Sequence, residues 1–469
     1  MSLITMKFGG TSMGSADAMR RGAAIIGQQK ALGDRVLVVV SAMNGITDGL
    51  LRVARTAATG NDTAHLVALD DMRQRHHAVA RELITDMTMC AALLADIDSL
   101  FADLTALCHS LTVLSEATPR ALDRMASFGE RLSARLLAAY LRQQGFEASA
   151  VDATGLIVTD DNFQDASPLM TETREQVQSV LLPMLAQGQI PVVTGFIGAT
   201  RRGITTTLGR GGSDFSAAIL GAAADTDELW IYTDVDGVMT TDPRLVAGAR
   251  VLPTLSYAEV GELAYFGAKV LHPKTVQPIV DRGVPLRVRN TFNANHPGTL
   301  VQPETEIIPG VVKAVTIIKD VHLLSVEGRG MIGVPGIAGR TFMAVARANA
   351  SILMISQASS EQSFCFVLPS NRTMAALDAI KDELHAEIAR RDIDRVWVQE
   401  DVVIITAVGA GMRSEPGVAA RVFSALAEHA INVLVIAQGS SECSISLVVA
   451  EHDAAATVRA LHDLIMETA

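Results

Sequence analysis

The chain has 469 residues, of which 49% are hydrophobic and 19% charged, with a formal net charge of −12. That length exceeds a single compact core and predicts roughly two to four domains, and the composition is that of a globular rather than a disordered protein. The acidic balance, without any basic run, excludes a nucleic-acid binder, whose affinity rests on clustered Lys and Arg neutralising phosphates.

The opening "MSLITMKFGG" lacks a charged n-region followed by a long apolar stretch. Apolar runs such as "RVLVVVSAM" fall far short of the roughly 20 residues that span a bilayer, so a cytoplasmic protein without membrane contact is expected. "LITMKFGG" reads as a short strand ending in glycines, and "SADAMRRGAAIIGQQK" as a helix with Ser15 as its N-cap. "RVLVVVSAM" is a strand buried on both faces, and "QIPVVTGFIGAT" and "DELWIYTDVDG" repeat the design. The first part is therefore an α/β sheet flanked by helices. Residues 62–145 interrupt the rhythm with a helical subdomain, in which "DSLFADLTALCHSLTVL" has a spacing near 3.6. The four cysteines, Cys90, Cys108, Cys365 and Cys443, follow no CxxC spacing and are expected to be reduced, buried small hydrophobes. His76, His77 and His272 have no ligand spacing and are expected at the surface or in loops.

Two glycine-rich loops precede helices. "KFGGTSMGS" carries Lys7, Gly9, Gly10, Thr11 and Ser12, and "LGRGGSDFSAA" carries Arg210, Gly211, Gly212, Ser213 and Asp214. Exposed backbone N–H groups at a helix start suit phosphate, yet neither loop fits GxxxxGK[ST] or GxGxxG. The segment "GITTTLGRGGSDFSAA" is expected to face something polar rather than form a core strand, because its hydroxyls and backbone would otherwise lack partners. "YTDVDGVMTTDPR" is either a plain turn or the wall of a nucleotide site, and Lys269 either a surface lysine or a phosphate partner. Glu130 opens a helix, where a carboxylate is also favoured by the helix dipole alone.

Past the Pro- and Gly-punctuated stretch after Gly298, the run from Val321 aligns with the run from Val402. Each copy reads strand, Gly-rich turn, helix, strand, "Q-x-S-S-E", strand, helix. A period of about eighty residues suits duplicated α+β domains. The first copy is preceded by an extra strand-like run, "VKAVTIIKD", and followed by "RVWVQE", so the two modules are expected to share strands.

"KFGGTS", "VSAMNGITD", "SFGERLSA", "TTTLGRGGSDFSAA", "TDVDGVMTTDPR" and "YFGAKVLHPKT" stand in the order and spacing of aspartate kinases of the amino-acid kinase family, which the chain resembles over nearly its whole length. Its repeats resemble that family's ACT domains, most of all those in the kinase half of bifunctional aspartate kinase–homoserine dehydrogenases. The resemblance implies an amino-acid-kinase domain at 1–305, ACT-like domains at 311–399 and 400–469 with strands exchanged, and ATP- and Mg²⁺-dependent 4-phosphorylation of L-aspartate. It implies Lys7 and Asp214 as catalytic residues, and Ser41, Thr47, Glu130, Arg210 and Ser213 around aspartate. Gly9, Gly10, Thr11, Ser12, Gly211, Gly212, Thr233, Asp234, Arg244 and Lys269 fall to the nucleotide, with Met239 where the family more often has tyrosine. A module of about eighty residues buries little of its surface and exposes sheet edges, so a homodimer held through the C-terminal half is expected. Gln357 and Gln438 are expected to bind an amino-acid effector, threonine ahead of lysine, in an enzyme of lysine, threonine and methionine biosynthesis. The rivals are a relative acting on glutamate, N-acetylglutamate, carbamate or UMP, and a non-catalytic amino-acid sensor.

Overall fold

The computed structural model of the chain describes residues 2–60, 63–266, 271, 273–304, 312–357, 362–412, 415–439 and 442–468, and every structural statement below concerns these. They divide into two compact units. The first comprises Met1–Val238, Val251–Tyr257 and Val270–Thr305, the second Met239–Arg250, Ala258–Lys269 and Glu306–Ala469. Two stretches from within 1–305 thus group with the C-terminal unit.

In the first unit the apolar runs become strands and the 3.6-spaced runs helices. The order is β1 (Leu3–Phe8), α1 (Ala16–Ala31), β2 (Arg35–Val40) and α2 (Ile46–Ala58), then the helical stretch α3 (Ala64–Leu83), α4 (Met87–Leu114), α5 (Pro119–Ala126) and α6 (Phe128–Gln143). There follow β3 (Ala148–Val151), β4 (Val158–Thr159), α7 (Met170–Ala186), β5 (Ile190–Thr194), β6 (Ile197–Thr200), β7 (Thr205–Thr207), α8 (Gly212–Ala223), β8 (Glu228–Thr233) and β9 (Thr254–Ser256). Next in the chain comes α9 (Tyr257–Tyr265), which beyond Tyr257 groups with the second unit, and the first unit closes with α10 (Pro273–Val280), β10 (Leu286–Asn290) and β11 (Thr299–Gln302). Ser15 caps α1, accepting from the Ala18 N–H at 3.2 Å.

Eight strands form one sheet in the order β3-β5-β2-β1-β8-β10-β11-β9, and β4, β6 and β7 form a small second sheet. β1 lies between β2 and β8, parallel to both, with Lys7 opposite Val39 and Ile231. Parallel pairing brings the C-terminal ends of β1, β2 and β5 to one edge, where the loops that follow them converge; in open α/β sheets that edge holds the ligand crevice. Alternation decides which side of the sheet each residue serves. Met6 and Phe8 are fully buried in the core shared with α1, α2 and α6, while Thr5 and Lys7 point to the other face. There α8 packs so closely that a Cβ on Gly221 would come within 3.3 Å of Thr5 Oγ1.

In the second unit β12 (Ala314–Glu327), α11 (Ile337–Arg347), β13 (Met354–Gln357), β14 (Ser363–Pro369), α12 (Ser370–Glu383) and α13 (His385–Ala389) precede β15 (Arg395–Val408), α14 (Val418–Glu428), β16 (Val435–Gln438), β17 (Ser444–Ala450) and α15 (Ala454–Thr468). One six-stranded sheet runs β13-β14-β12-β15-β17-β16. The long strands β12 and β15 carry the exchange. Ala314–Ile318 lies beside Ile404–Val408 in the second repeat's half, whereas Val321–Glu327 pairs with β14 in the first repeat's half. "VKAVTIIKD" therefore crosses to the second module, while "RVWVQE" stays beside the first repeat's Leu323–Glu327, so the two modules share one sheet. The crossover is marked by Asp320 and Asp401, at matching points of the repeat, with φ of 57° and 54°; aspartate tolerates this left-handed region better than a β-branched residue would. Each half buries its own apolar face, Leu324, Val326 and Phe366 under α11 and α12, and Val403, Ile405 and Leu447 under α14 and α15. Glu259 of α9, fully buried, ties that helix to this unit through Lys313 at 3.1 Å and the Ala410 N–H at 2.8 Å.

Two expectations fail here. His76 and His77 are buried in α3 rather than at the surface: His76 Nδ1 lies 2.6 Å from the Met72 carbonyl, His77 pairs with Asp98 at 2.8 Å, and burial pushes the His76 pKa down to about 4. Histidine is amphipathic enough to serve a helix interface once one nitrogen is satisfied locally. Of the cysteines, Cys108 and Cys443 are buried but Cys90 and Cys365 only half-buried. His272 and Lys269 lie outside the described residues. Among the described residues no helix is long and apolar enough to cross a membrane.

Candidate active site

At the converging strand ends of the first unit opens a cleft of about 370 Å³. Its walls are Lys7 and Gly10 from the first loop, Ser41–Gly45, Thr47 and Asp48 from the second, Glu130 from α6, and Phe196 with Gly209–Asp214 from the β7–α8 turn. Of the residues expected to act, Lys7, Gly10, Ser41, Thr47, Glu130, Arg210, Gly211, Gly212, Ser213 and Asp214 meet here.

Two helices begin at this cleft without a side-chain cap. α2 starts behind Gly45 (φ 80°) and α8 behind Gly211 (φ 71°), and neither N-cap glycine supplies an acceptor for the first N–H groups. Those donors, with the positive ends of two helix dipoles, favour an anion. The glycine at 212 is required for another reason: a Cβ there would sit 2.6 Å from Phe196 Cδ2. Lys7, 8% exposed, reaches Asp214 in the first turn of α8 at 2.6 Å. The ion pair holds the ammonium at the mouth of both loops, and the Lys7 Nζ lies near enough to Gly9 that a Cβ there would be 3.4 Å away.

Glu130 is buried in the first turn of α6. Its Oε1 accepts from the Ala42 N–H at 3.1 Å, whereas its Oε2 has no hydrogen-bond partner. Burial raises its pKa to about 8, against the opposing pull of the Ala42 N–H, its own backbone N–H and Lys7. A buried carboxylate with a free oxygen in a cleft is a receptor for a cation. Arg210, exposed at the opposite wall, makes no hydrogen bond or ion pair among the described residues and presents its guanidinium fork to the cleft.

The threonine run corrects an expectation. Thr205–Thr207 form the buried strand β7 after all, because the protein supplies every partner. Thr206 Oγ1 lies 2.7 Å from Thr159 Oγ1, Thr207 Oγ1 donates to Asp123 at 2.7 Å, and Thr205 Oγ1 accepts from Arg124 at 3.4 Å. Only the "LGRGGSD" half of the segment faces the cleft.

Other expected residues do not line it. Ser12 is buried and spends its hydroxyl on Thr291 at 2.7 Å, and Gly9 donates its N–H to the Tyr232 carbonyl at 3.0 Å. Thr11 is half-buried, while Thr233 donates to Asp234 at 3.2 Å near the end of β8. Arg244 belongs to the second unit, where it pairs with Asp242 at 2.6 Å. Gln357 and Gln438 end the edge strands β13 and β16, both exposed and at the same register against Phe364 and Ile445. Residues that sequence reasoning passed over include Asn44, Asp48 and Phe196 in the cleft and Arg75 behind it, which donates to the carbonyls of Asn44 at 2.9 Å and Gly14 at 3.2 Å. Asn44 and Asp48 lay within a recognised motif; Arg75 is a helix arginine that no local pattern distinguishes.

Residues 2–290 match the Amino acid kinase family and residues 324–384 and 405–464 the ACT domain. The chain is 37% identical over 462 residues to the chloroplastic bifunctional aspartokinase/homoserine dehydrogenase 1 of Arabidopsis thaliana, covering 97% of this chain and 50% of that protein. It therefore spans about half the length of the bifunctional relatives it matches. Against Arabidopsis thaliana aspartokinase 3 it is 33% identical, covering 99% and 81% of the two chains. The structure of E. coli aspartokinase III with aspartate and ADP superposes with a TM-score of 0.80 at 32% identity, covering 99% of this chain and all of that one.

Proposed function

The chain belongs to the amino acid kinase family, and on that premise we propose that it transfers the γ-phosphoryl group of ATP to the side-chain carboxylate of L-aspartate, giving 4-phospho-L-aspartate and ADP. The observation that carries this reading is the single cleft in which an unpartnered Glu130 oxygen and a free Arg210 guanidinium face a lysine-bearing loop and two uncapped helix starts. Glu130 and Arg210 suit the α-ammonium and α-carboxylate of an amino acid, and the helix starts with Lys7 suit phosphate. E. coli aspartokinase III, similar over its whole length, is described with aspartate and ADP.

The nucleophile is a carboxylate whose ordinary pKa of about 3.9 leaves it ionised at neutral pH, so the protein needs no general base. Its work is alignment and charge neutralisation. Lys7, fixed by Asp214, offsets the repulsion between two anions, and the N–H groups at the starts of α2 and α8 hold oxygens without reorganising. Magnesium enters with the nucleotide as the Mg²⁺–ATP substrate and screens the phosphates. Ser41, Thr47 and Ser213 offer hydroxyls along the amino-acid side. Thr233, Asp234, Arg244 and Lys269 remain assigned to the nucleotide by resemblance.

Hydroxylamine trapping of the acyl phosphate, run with aspartate, glutamate and N-acetylglutamate, tests the reading. Hydroxamate from aspartate alone is expected; preference for either other acceptor assigns the chain to another branch of the family, and no product from any acceptor leaves an amino-acid sensor. In the same assay Arg210→Ala should raise KM for aspartate by about 10²-fold while KM for ATP changes less than about threefold, since only the amino acid loses a bidentate partner. Equal weakening of both substrates would contradict the assignment.

Residues 1–305 are read as the catalytic part and 311–399 and 400–469 as paired regulatory modules of a cytoplasmic homodimer. The homodimer rests on the small size of each module, which buries only part of its surface alone; within the chain β13 and β16 already touch, Ser356 Oγ donating to the Ile436 carbonyl at 3.3 Å. Gln357 and Gln438, at matching strand ends, are the proposed effector contacts, with L-threonine the first candidate and L-lysine the second. Lysine is named in the T-state structure of E. coli aspartokinase III. The product would then feed lysine, threonine and methionine biosynthesis. Gln438→Ala is expected to raise the half-inhibitory effector concentration about tenfold, equivalent to about 1.4 kcal/mol of coupling, with uninhibited kcat unchanged. Inhibition curves for both amino acids check this; no inhibition by either at millimolar concentration would remove the regulatory role.

A further inference from the structure

Asp123 is a buried acid of the first unit that the reaction outlined above does not use. It sits in α5, 1% exposed, and its side-chain hydrogen bonds go to the end of β7 and to the loop between β4 and α7. Its Oδ2 accepts from the Thr207 N–H at 3.0 Å and from the Gln164 N–H at 3.0 Å, and its Oδ1 accepts from Thr207 Oγ1 at 2.7 Å. Burial pushes its pKa up and these three donors pull it down. The carboxyl is thus held in place by hydrogen bonds, two of them from main-chain N–H groups.

Both groups it grips lead to Arg210. Thr207 ends β7 and is followed by Leu208, Gly209 and Arg210. Gln164 belongs to a loop that lies directly behind Gly209: a Cβ on Gly209 would be 2.6 Å from Asp165 Oδ1 and 3.2 Å from the Gln164 carbonyl. The Ala166 N–H donates to the Thr207 carbonyl at 2.9 Å, closing the same bracket. On its other side α5 runs into α6 with no intervening loop beyond Ser127, and the first turn of α6 carries Glu130. One short helix therefore anchors both the wall that bears Glu130 and the turn that bears Arg210.

We infer that Asp123 is a positioning residue that fixes the distance between Arg210 and Glu130, and with it the fit of the cleft to the α-carboxylate and α-ammonium groups of its amino-acid substrate. The inference rests on the proposed aspartate-kinase reading. A buried carboxylate suits the task because it accepts two N–H bonds at one oxygen and a hydroxyl at the other, which neither Ser nor Ala at this position reproduces. Asparagine does reproduce it: its oxygen faces the two N–H groups, and its NH₂ meets Thr207 Oγ1, whose hydroxyl turns to accept.

The test compares Asp123→Ala, Asp123→Asn and Thr207→Val in the full chain. Asp123→Ala is expected to raise KM for aspartate about tenfold or more with KM for Mg²⁺–ATP within about twofold, displacement of a binding group by about 1 Å being enough. Asp123→Asn should recover most of the loss, and Thr207→Val, which keeps the main-chain bonds, should lie between them. Should Asp123→Ala fail to fold, the Thr207→Val and Asp123→Asn pair still carries the comparison. Unchanged KM for aspartate in folded Asp123→Ala and Thr207→Val, or equal rises for both substrates, would overturn the inference. Hydrogen–deuterium exchange provides a readout that needs no substrate: peptides spanning Thr207–Gly212 should exchange faster in Asp123→Ala and at the wild-type rate in Asp123→Asn. If the wild type makes no hydroxamate from aspartate, the functional reading fails on its own, while the exchange result still decides whether Asp123 holds the turn.

Discussion

Lys7→Ala should lower kcat by about 10²-fold or more, with smaller changes in KM for either substrate. The ammonium is 8% exposed and 2.6 Å from Asp214, in a cleft where α2 and α8 start without caps. In that setting charge on the transferring phosphoryl group is met by fixed donors rather than by water, and the interaction grows as charge develops on the oxygens. An effect confined to the transition state appears in kcat and kcat/KM together. The substitution also leaves the Asp214 carboxylate facing phosphate without its partner, so part of the loss is repulsion. Adding Asp214→Asn to Lys7→Ala should therefore lose less than the sum of the single losses. Steady-state kinetics on the two singles and the double give the coupling, and near-wild-type turnover of folded Lys7→Ala would remove the lysine from the chemistry.

Glu130→Gln has an effect of similar size, and its pH dependence has a definite sign. In the ligand-free protein the folded-state pKa of Glu130 stands at about 8, raised by burial from its ordinary 4.5. A carboxyl whose pKa is raised on folding is free of penalty below its unfolded value, and costs progressively more stability as pH rises from about 4.5 toward 8. Glutamine carries no such penalty. The variant should melt at the wild-type temperature near pH 4.5 and a few degrees above it, roughly, near pH 8. Aspartate binding runs the other way. The α-ammonium needs the carboxylate, so wild-type affinity should rise with pH until about 8, with proton release on binding at pH 7. Glu130→Gln should bind about 10²-fold more weakly, with little pH dependence over that range, as expected when one partner of a buried charge pair is removed. Calorimetry in buffers of different ionisation enthalpy measures the released proton; its absence in the wild type would show Glu130 to be ionised already.

Much of this protein is legible without coordinates, because the signals are local. The apolar run at Arg35–Val40 has only one way to be buried, in a strand covered on both faces, and Ser15 before an apolar period of 3.6 has only one role. The strand surplus in the first repeat even foretold the exchange of β12 and β15, since an unpaired strand and a missing one are both costly. Lys7, Arg210 and Asp214, which the family resemblance implied as site residues, line one cleft. What the sequence could not carry is burial and partnership at a distance. Thr205–Thr207 looked too polar for a core strand, yet their hydroxyls find Asp123, Arg124 and Thr159, residues 47 to 84 positions away. Ser12 sits in a phosphate-like loop but turns inward to Thr291, 279 positions on. Glu130 reads equally as a helix-dipole carboxylate or a ligand. Only the tertiary structure, by burying it, satisfying one oxygen with the Ala42 N–H and leaving the other open to the cleft, decides between them. A hydrogen bond's worth depends on whether water competes for it, and that is a property of the packed fold rather than of the residue.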